Sequence, residues 1–292
     1  MQAPPVFLNL KQSIERACEY INQAATGKAD LVMFPEAYLP GYPSWVWRLK
    51  PGGEINKCKD LHHELIKNAV DLSRDGLKRI QQAAKQCQIT TAIGFQEINA
   101  EASGSTLYCA YALIGPGGDI LNRHRKLIPT NPERMVWGWG DARGLNVVTT
   151  PAGKIGTLIC WENYMPFSRY TLYAQGVELY LAPTWDCGDG WQATLRHIAR
   201  EGGCWVAGTA TAMQCSDIPD SVPHKDAIFP EANEWINEGG ATVYEPFGSE
   251  IAGPMLREKD ILYADYDLEK VIDGRRSMDV AGHYSRPDIF NY

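Results

Sequence analysis

Apolar positions along the chain alternate between helical stripes and short continuous runs. Ile14, Ala17, Cys18, Ile21 and Ala25 recur at the spacing of one helix face, predicting a helix over 13–25 that Gly27 stops. Residues 30–34 form a short apolar run, expected as a buried strand and ended by Pro35. Leu72, Leu77, Ile80, Ala83, Ala84 and Cys87 make a second stripe, which predicts one helix over 71–88, followed by a strand over 89–95. Strands over 107–114 and 119–122 flank Gly115-Pro116-Gly117-Gly118, a hairpin signal. Strands over 145–149 and 155–160 flank Pro151-Ala152-Gly153-Lys154. Helix 167–175 precedes strand 177–182, and helix 192–201 precedes strand 204–209. A hairpin over 241–244 and 250–252, a strand over 261–266 and a helix over 268–276 complete the pattern. The Pro- and Gly-rich stretches 40–53 and 215–231 are expected as surface loops or lids.

Strands that alternate with helices throughout imply an α/β fold with mixed sheets. No shift in composition marks a linker and no segment repeats at a fixed period, so residues 1–292 are expected to form one domain.

Composition narrows the function classes. At 45% hydrophobic and 22% charged residues, the chain is too apolar to be disordered. Its longest apolar stretches, 155–160 and 177–183, fall far short of the roughly 20 residues of a membrane span. The N-terminal run lacks the basic-then-apolar layout of a signal peptide. With 28 Lys and Arg against 35 Asp and Glu, the net charge of −7 argues against a nucleic-acid partner. Eight Cys with no Cys-x-x-Cys spacing suggest reduced thiols in a cytoplasmic protein. The histidines are scattered, so no metal site is expected, and no cofactor is implied.

Three polar residues stand just beyond apolar runs: Glu36 after 30–34, Lys126 after 119–122, and Cys160 at the end of 155–160. Sites in α/β sheets form beyond strand ends, so a carboxylate, an ammonium and a thiol are expected to meet. The set is chemically coherent, because a carboxylate can take the thiol proton while an ammonium stabilises the resulting anion. Each residue also has a plainer reading. Cys160 suits a small buried hydrophobe, Glu36 a turn cap, and Lys126 a solvated basic face.

In combination these segments resemble the nitrilase superfamily, the carbon–nitrogen hydrolases, and within it the nitrilase branch. The resemblance rests on Phe34-Pro35-Glu36-Ala37-Tyr38-Leu39-Pro40-Gly41-Tyr42-Pro43, on Arg125-Lys126-Leu127-Ile128-Pro129-Thr130 with Trp137-Gly138-Trp139-Gly140-Asp141, and on Cys160-Trp161-Glu162-Asn163. Ala182-Pro183-Thr184 and Gly282-His283-Tyr284-Ser285-Arg286-Pro287-Asp288 extend it over residues 3–290. It implies a four-layer αββα sandwich. It also implies hydrolysis of a small-molecule nitrile to acid and ammonia through a Cys160 thioimidate. Glu36 is then the general base, Lys126 the charge stabiliser and Glu133 a second glutamate that orients Lys126 or water. Tyr42, Trp161 and Trp185 are the expected substrate contacts. Rival readings are an amidase or carbamoylase of the same superfamily, a cyanide-degrading variant, and a catalytically dead scaffold.

Glu133 alone would suit a salt bridge with Arg134 or Arg125, Glu162 a bond to a nearby Arg or a hold on the turn, and His197 an ordinary core or surface histidine. Only Met1 precedes Gln2, so most of a first strand is expected to be missing, which exposes a sheet edge. Asp141-Ala142-Arg143-Gly144 departs from the family's usual Gly-Asp-Gly-Ser, and a shifted substrate preference is expected. The resemblance implies a homodimer or larger homo-oligomer. The large apolar and aromatic side chains of 164–175 fit such an interface.

Overall fold

The computed structural model describes residues 1–50 and 52–290. Pro51, within the loop expected over 40–53, and Asn291 and Tyr292, at the end of the expected domain, lie outside them. The elements follow in the order α1 (Leu10–Thr26), β1 (Leu31–Met33), α2 (Ile55–Lys67), α3 (Lys78–Cys87), β2 (Thr90–Ile98), β3 (Leu107–Ile114) and β4 (Ile120–Arg125). Then come β5 (Val148–Thr150), β6 (Gly153–Thr157), α4 (Pro166–Ala174), β7 (Leu179–Pro183), α5 (Asp189–Gly202), β8 (Trp205–Thr209) and β9 (Ala212–Gln214). The last are α6 (Lys225–Ile228), β10 (Trp235–Tyr244), β11 (Glu250–Leu256) and α7 (Glu269–Ser277).

One sheet runs β1-β2-β3-β4, parallel between β1 and β2 and antiparallel thereafter. The other runs β11-β10-β8-β7-β6-β5, with β9 also on β10, and its β6-β7-β8 centre is parallel. Period-two alternation stacks the layers. In β3, Cys109, Tyr111 and Leu113 face the space between the sheets, while Ala110, Ala112 and Ile114 face the outer helix layer with Ala17, Ile21, Ile80 and Ala84 of α1 and α3. In β7, Leu179 and Leu181 join the inter-sheet core, while Tyr180 and Ala182 pack with Leu172 of α4 and Leu195 and Ile198 of α5. The result is the four-layer αββα sandwich with mixed sheets. No helix of the described residues is long and apolar enough to cross a membrane.

Several expectations are corrected. The helix over 71–88 breaks into a 3₁₀ turn, Leu72–Arg74, and α3. Asp71 caps the turn, Asp75 takes φ 57°, and a side chain on Gly76 would meet the Asp71 carbonyl at 2.7 Å. Helix α2, where the sequence pattern predicts no element, rests on just two fully buried side chains, Leu61 and Leu65. Residues 40–46 are buried and belong to the core; they are no surface loop. The same holds for much of 215–231, where Cys215, Ile218, Val222, Ile228 and Phe229 join the inter-sheet cluster. The stretch 261–266 carries a strand-like pattern but forms no strand. It lines an apolar cavity of about 140 Å³ together with residues of β1, β7, β8 and β10. At the N-terminus, the Gln2 amide donates to the Asp260 carbonyl at 3.0 Å and the Gln2 carbonyl accepts from Ala212 at 2.7 Å.

Candidate active site

Glu36 lies on the turn that follows β1 and is fully buried. That turn sits directly on β2. A side chain on Gly94 would stand 2.3 Å from the Pro35 carbonyl and 2.5 Å from the Ala37 nitrogen, so only glycine permits the approach. Lys126 follows β4 and its amide donates to the Cys109 carbonyl at 2.8 Å, extending the pairing with β3. Its ammonium therefore enters the inter-sheet core, where it donates to Glu36 Oε1 and to Glu133 Oε2, each at 2.7 Å.

Glu133 is set by its own turn, the 3₁₀ segment Asn131–Met135, which Thr130 and Glu133 cap reciprocally. Its Oε1 accepts from the Tyr42 hydroxyl at 2.6 Å. Arg125, one of the partners considered for Glu133, instead pairs with Glu97. The ring of Tyr42 stacks on Trp185 at 4.3 Å and meets Trp137 edge-on.

Cys160 does not end a strand. Strand β6 stops at Thr157, and Cys160 opens a 3₁₀ turn, Cys160–Tyr164, with φ 52°. A non-glycine residue held in the left-handed region needs a surround that over-determines it. Asn163 supplies part of it: its amide donates to the Leu158 and Cys160 carbonyls, and its oxygen accepts from Tyr180 at 2.6 Å. Glu162 supplies the rest. One oxygen accepts from the Ile159 amide and the other from the Leu127 amide, and His124 binds both. No arginine is involved. The carboxylate of Glu162 thus ties the backbone after Lys126 to the turn that carries Cys160. The sulfur of Cys160 accepts from the Thr184 hydroxyl at 3.1 Å, and Cys109 donates to Glu36 Oε1 at 3.5 Å.

Glu36, Lys126, Glu133 and Cys160 are thus brought together, each almost entirely shielded from water. Burial pushes the Glu36 carboxyl up to about 7, against the pull of the Lys126 charge and with help from Glu133. Burial pushes the Cys160 thiol far above its ordinary value, and Glu36 adds to the shift while Lys126 opposes it. Burial alone would lower the Lys126 ammonium, but Glu36, Cys160 and Glu133 outweigh it and hold it well above its usual value. At neutral pH the cluster therefore holds a charged ammonium, a neutral thiol and a carboxyl poised to give or take a proton.

Of the three expected substrate contacts, Tyr42 and Trp185 form one stacked aromatic wall beside Glu133. Trp161 is 45% exposed and its indole donates to Asp186 at 3.0 Å, which places it at the rim. The turn Ala142–Gly144, where the departure from the usual pattern falls, rests on the β4 backbone at Arg123 and His124 and turns Arg143 to solvent. His197 is exposed beside Glu201. The sequence reading missed the contacts of Thr184 and Cys109. Alternation along β3 was the available signal for Cys109, while Thr184 had only its position just after β7. Among the described residues no group of His, Cys, Asp and Glu is placed to hold a metal ion.

Known proteins agree with this architecture. The chain is 36% identical over 291 residues to an aliphatic nitrilase of Sinorhizobium fredii, spanning 99% of this chain and 92% of that one. It is also 36% identical to nitrilase 1 of Arabidopsis thaliana, over all of this chain and 84% of the other. Among solved structures, a carbon-nitrogen hydrolase from Helicobacter pylori superposes with a TM-score of 0.76 at 20% identity, covering 99% of this chain and 95% of that one. The carbon-nitrogen hydrolase family profile matches residues 1–276. The chain therefore belongs to the carbon–nitrogen hydrolase family, in its nitrilase branch.

Proposed function

We propose that the protein hydrolyses an organic nitrile to its carboxylic acid and ammonia. The observation that carries this reading is one buried ammonium shared at 2.7 Å between two buried carboxylates, next to a thiol on a left-handed turn. Glu36 takes the thiol proton as the Cys160 sulfur bonds to the nitrile carbon. Glu36 passes that proton on to the nitrile nitrogen, which gives a thioimidate and restores the Glu36 carboxylate. Developing negative charge is met by Lys126 and by the Trp161 backbone N–H, one of the first amides of a turn, which find no partner inside it. Water then adds to the carbon while Glu36 takes its proton. The C–N bond breaks, ammonia leaves, and a thioester remains. A second water releases the acid and restores the thiol, so that one nitrile and two waters yield one acid and one ammonia.

Glu133 acts by holding the Lys126 ammonium, and the Tyr42–Trp185 wall suits a substrate that is apolar apart from one acceptor. All eight cysteines are free, which fits work in a reducing cytoplasm. The same reading includes self-association as a homodimer or larger assembly.

A panel of aliphatic, aromatic and arylaliphatic nitriles, scored for ammonia, acid and amide, tests the proposal. Ammonia and acid in equal amounts from at least one nitrile are expected, and Cys160→Ala abolishes both while the fold persists. Turnover of amides alone would move the assignment to an amidase, and ammonia from folded Cys160→Ala would remove the sulfur from the mechanism.

A further inference from the structure

We propose that Thr184 is an additional catalytic residue, a fixed hydroxyl donor that stabilises the Cys160 sulfur as it becomes a thiolate. The inference rests on Cys160 being the nucleophile, as set out above.

The Thr184 hydroxyl is held against the Cys160 sulfur. Thr184 follows β7, and its amide donates to the Thr209 carbonyl at 3.0 Å, which ties it to β8. The side chain is 1% exposed, so it does not turn toward solvent. Its oxygen already accepts from the Asp186 amide at 2.9 Å, and its single proton lies on the sulfur side, 3.1 Å from Cys160 Sγ. The Cys160 sulfur is the acceptor the structure gives that proton, so the hydroxyl serves the sulfur as a donor.

A neutral thiol sulfur is a weak acceptor, whereas a thiolate is a strong one. The bond therefore tightens as the S–H proton passes to Glu36, and again when the S–C bond of the thioester breaks and the sulfur leaves with the electron pair. Stabilisation that grows with developing charge accelerates the step and does not merely bind the ground state. The Thr184 proton stays on its oxygen throughout.

The sulfur needs such a donor. Glu36, from the turn after β1, and Glu133, from the 3₁₀ turn after Lys126, both disfavour an anion there. Lys126 favours it but is divided between those two carboxylates. Tyr42 and Cys109 also stand in this cluster and, if ionised, would add further negative charge. Thr184 opposes the shift without adding a charge of its own.

The test follows alkylation of Cys160 by iodoacetamide against pH, read on the peptide that contains it, in the wild type, Thr184→Val and Thr184→Ser. Val keeps the shape and removes the donor, so its profile should move up by about one pH unit, a tenfold slower reaction at pH 7. Ser keeps the hydroxyl and should restore most of the loss. In nitrile hydrolysis, Thr184→Val should lower kcat by about tenfold with KM nearly unchanged. If the Val variant does not fold, Thr184→Ala, which leaves room for water at the Asp186 amide, is expected to show the same shift. A Val or Ala profile that coincides with the wild type overturns the proposal. Absence of nitrile turnover in the wild type, with the alkylation shift intact, would overturn the nitrilase reading and leave the thiolate donor standing.

Discussion

Glu36 sits where two demands meet. In the proposed mechanism it must lose a proton to act as a base, yet burial holds its carboxyl near 7. The value of kcat/KM is therefore expected to rise with pH through an apparent value near 7, a property of the coupled Glu36–Lys126–Cys160 cluster as a whole. Stability runs the other way. The folded-state value lies above the ordinary 4.5, so the stabilising contribution of protonated Glu36 is complete below about 4.5 and is lost as pH rises to about 7. Melting temperatures of the wild type and Glu36→Gln, compared between pH 5 and 8, should diverge, with the wild type falling relative to the variant. Parallel curves would show that Glu36 does not titrate in that window. Lys126→Arg should rescue little activity, because a forked guanidinium does not fit between two carboxylates spaced for a compact ammonium.

The strands and turns that carry these side chains are held by backbone contacts with no slack. Where Glu36 rides over β2, the Gly94 position has room for hydrogen alone. Gly94→Ala forces the turn outward, and a loss of about 1–3 kcal/mol in stability is expected, as for other overpacked sites. Activity should fall further than stability does, because a 1 Å displacement of the base costs about 10²-fold. Chemical denaturation paired with kcat measurements separates the two. If activity stays at the wild-type level while stability falls, the turn does not position Glu36. The Glu162 carboxylate does comparable work between β4 and the Cys160 turn, since its two oxygens serve the Leu127 and Ile159 amides from opposite sides.

The outer face of α4 bears on the whole molecule. Tyr164, Phe167 and Tyr170 are each at least 40% exposed, beside the turn that carries Cys160. Large aromatic side chains gathered on one protomer face mark an interface. Tyr173, which the sequence pattern groups with them, is buried and donates to Glu201 at 2.8 Å, so a charge there would disturb the protomer core. Sedimentation at micromolar concentration is expected to show a dimer or larger species. Tyr170→Glu should shift it toward 32.5 kDa and lower activity with it. A fully active wild-type species of that mass would refute the interface.

Much of this was legible in the order of residues. Short continuous apolar runs mark β3 and β7, helical spacing marks α1, and Glu36, Lys126 and Cys160 stand beyond apolar runs in patterns particular to one family. Such features are local, because backbone geometry and burial act over a few residues. Other features depend on chain segments far apart. The buried run 40–46 carries the prolines and the glycine of a loop, and only the sheets packed around it make it core. The 261–266 segment has the composition of a strand, yet pairing requires a neighbour, and a cavity lies beside it. Thr184 meets the Cys160 sulfur because β6 and β7 run parallel in register, a juxtaposition that no spacing within either strand encodes. The chemistry was chosen residue by residue along the sequence, whereas the shared ammonium, the raised carboxyl and the donor on sulfur arise only when the two sheets close and exclude water.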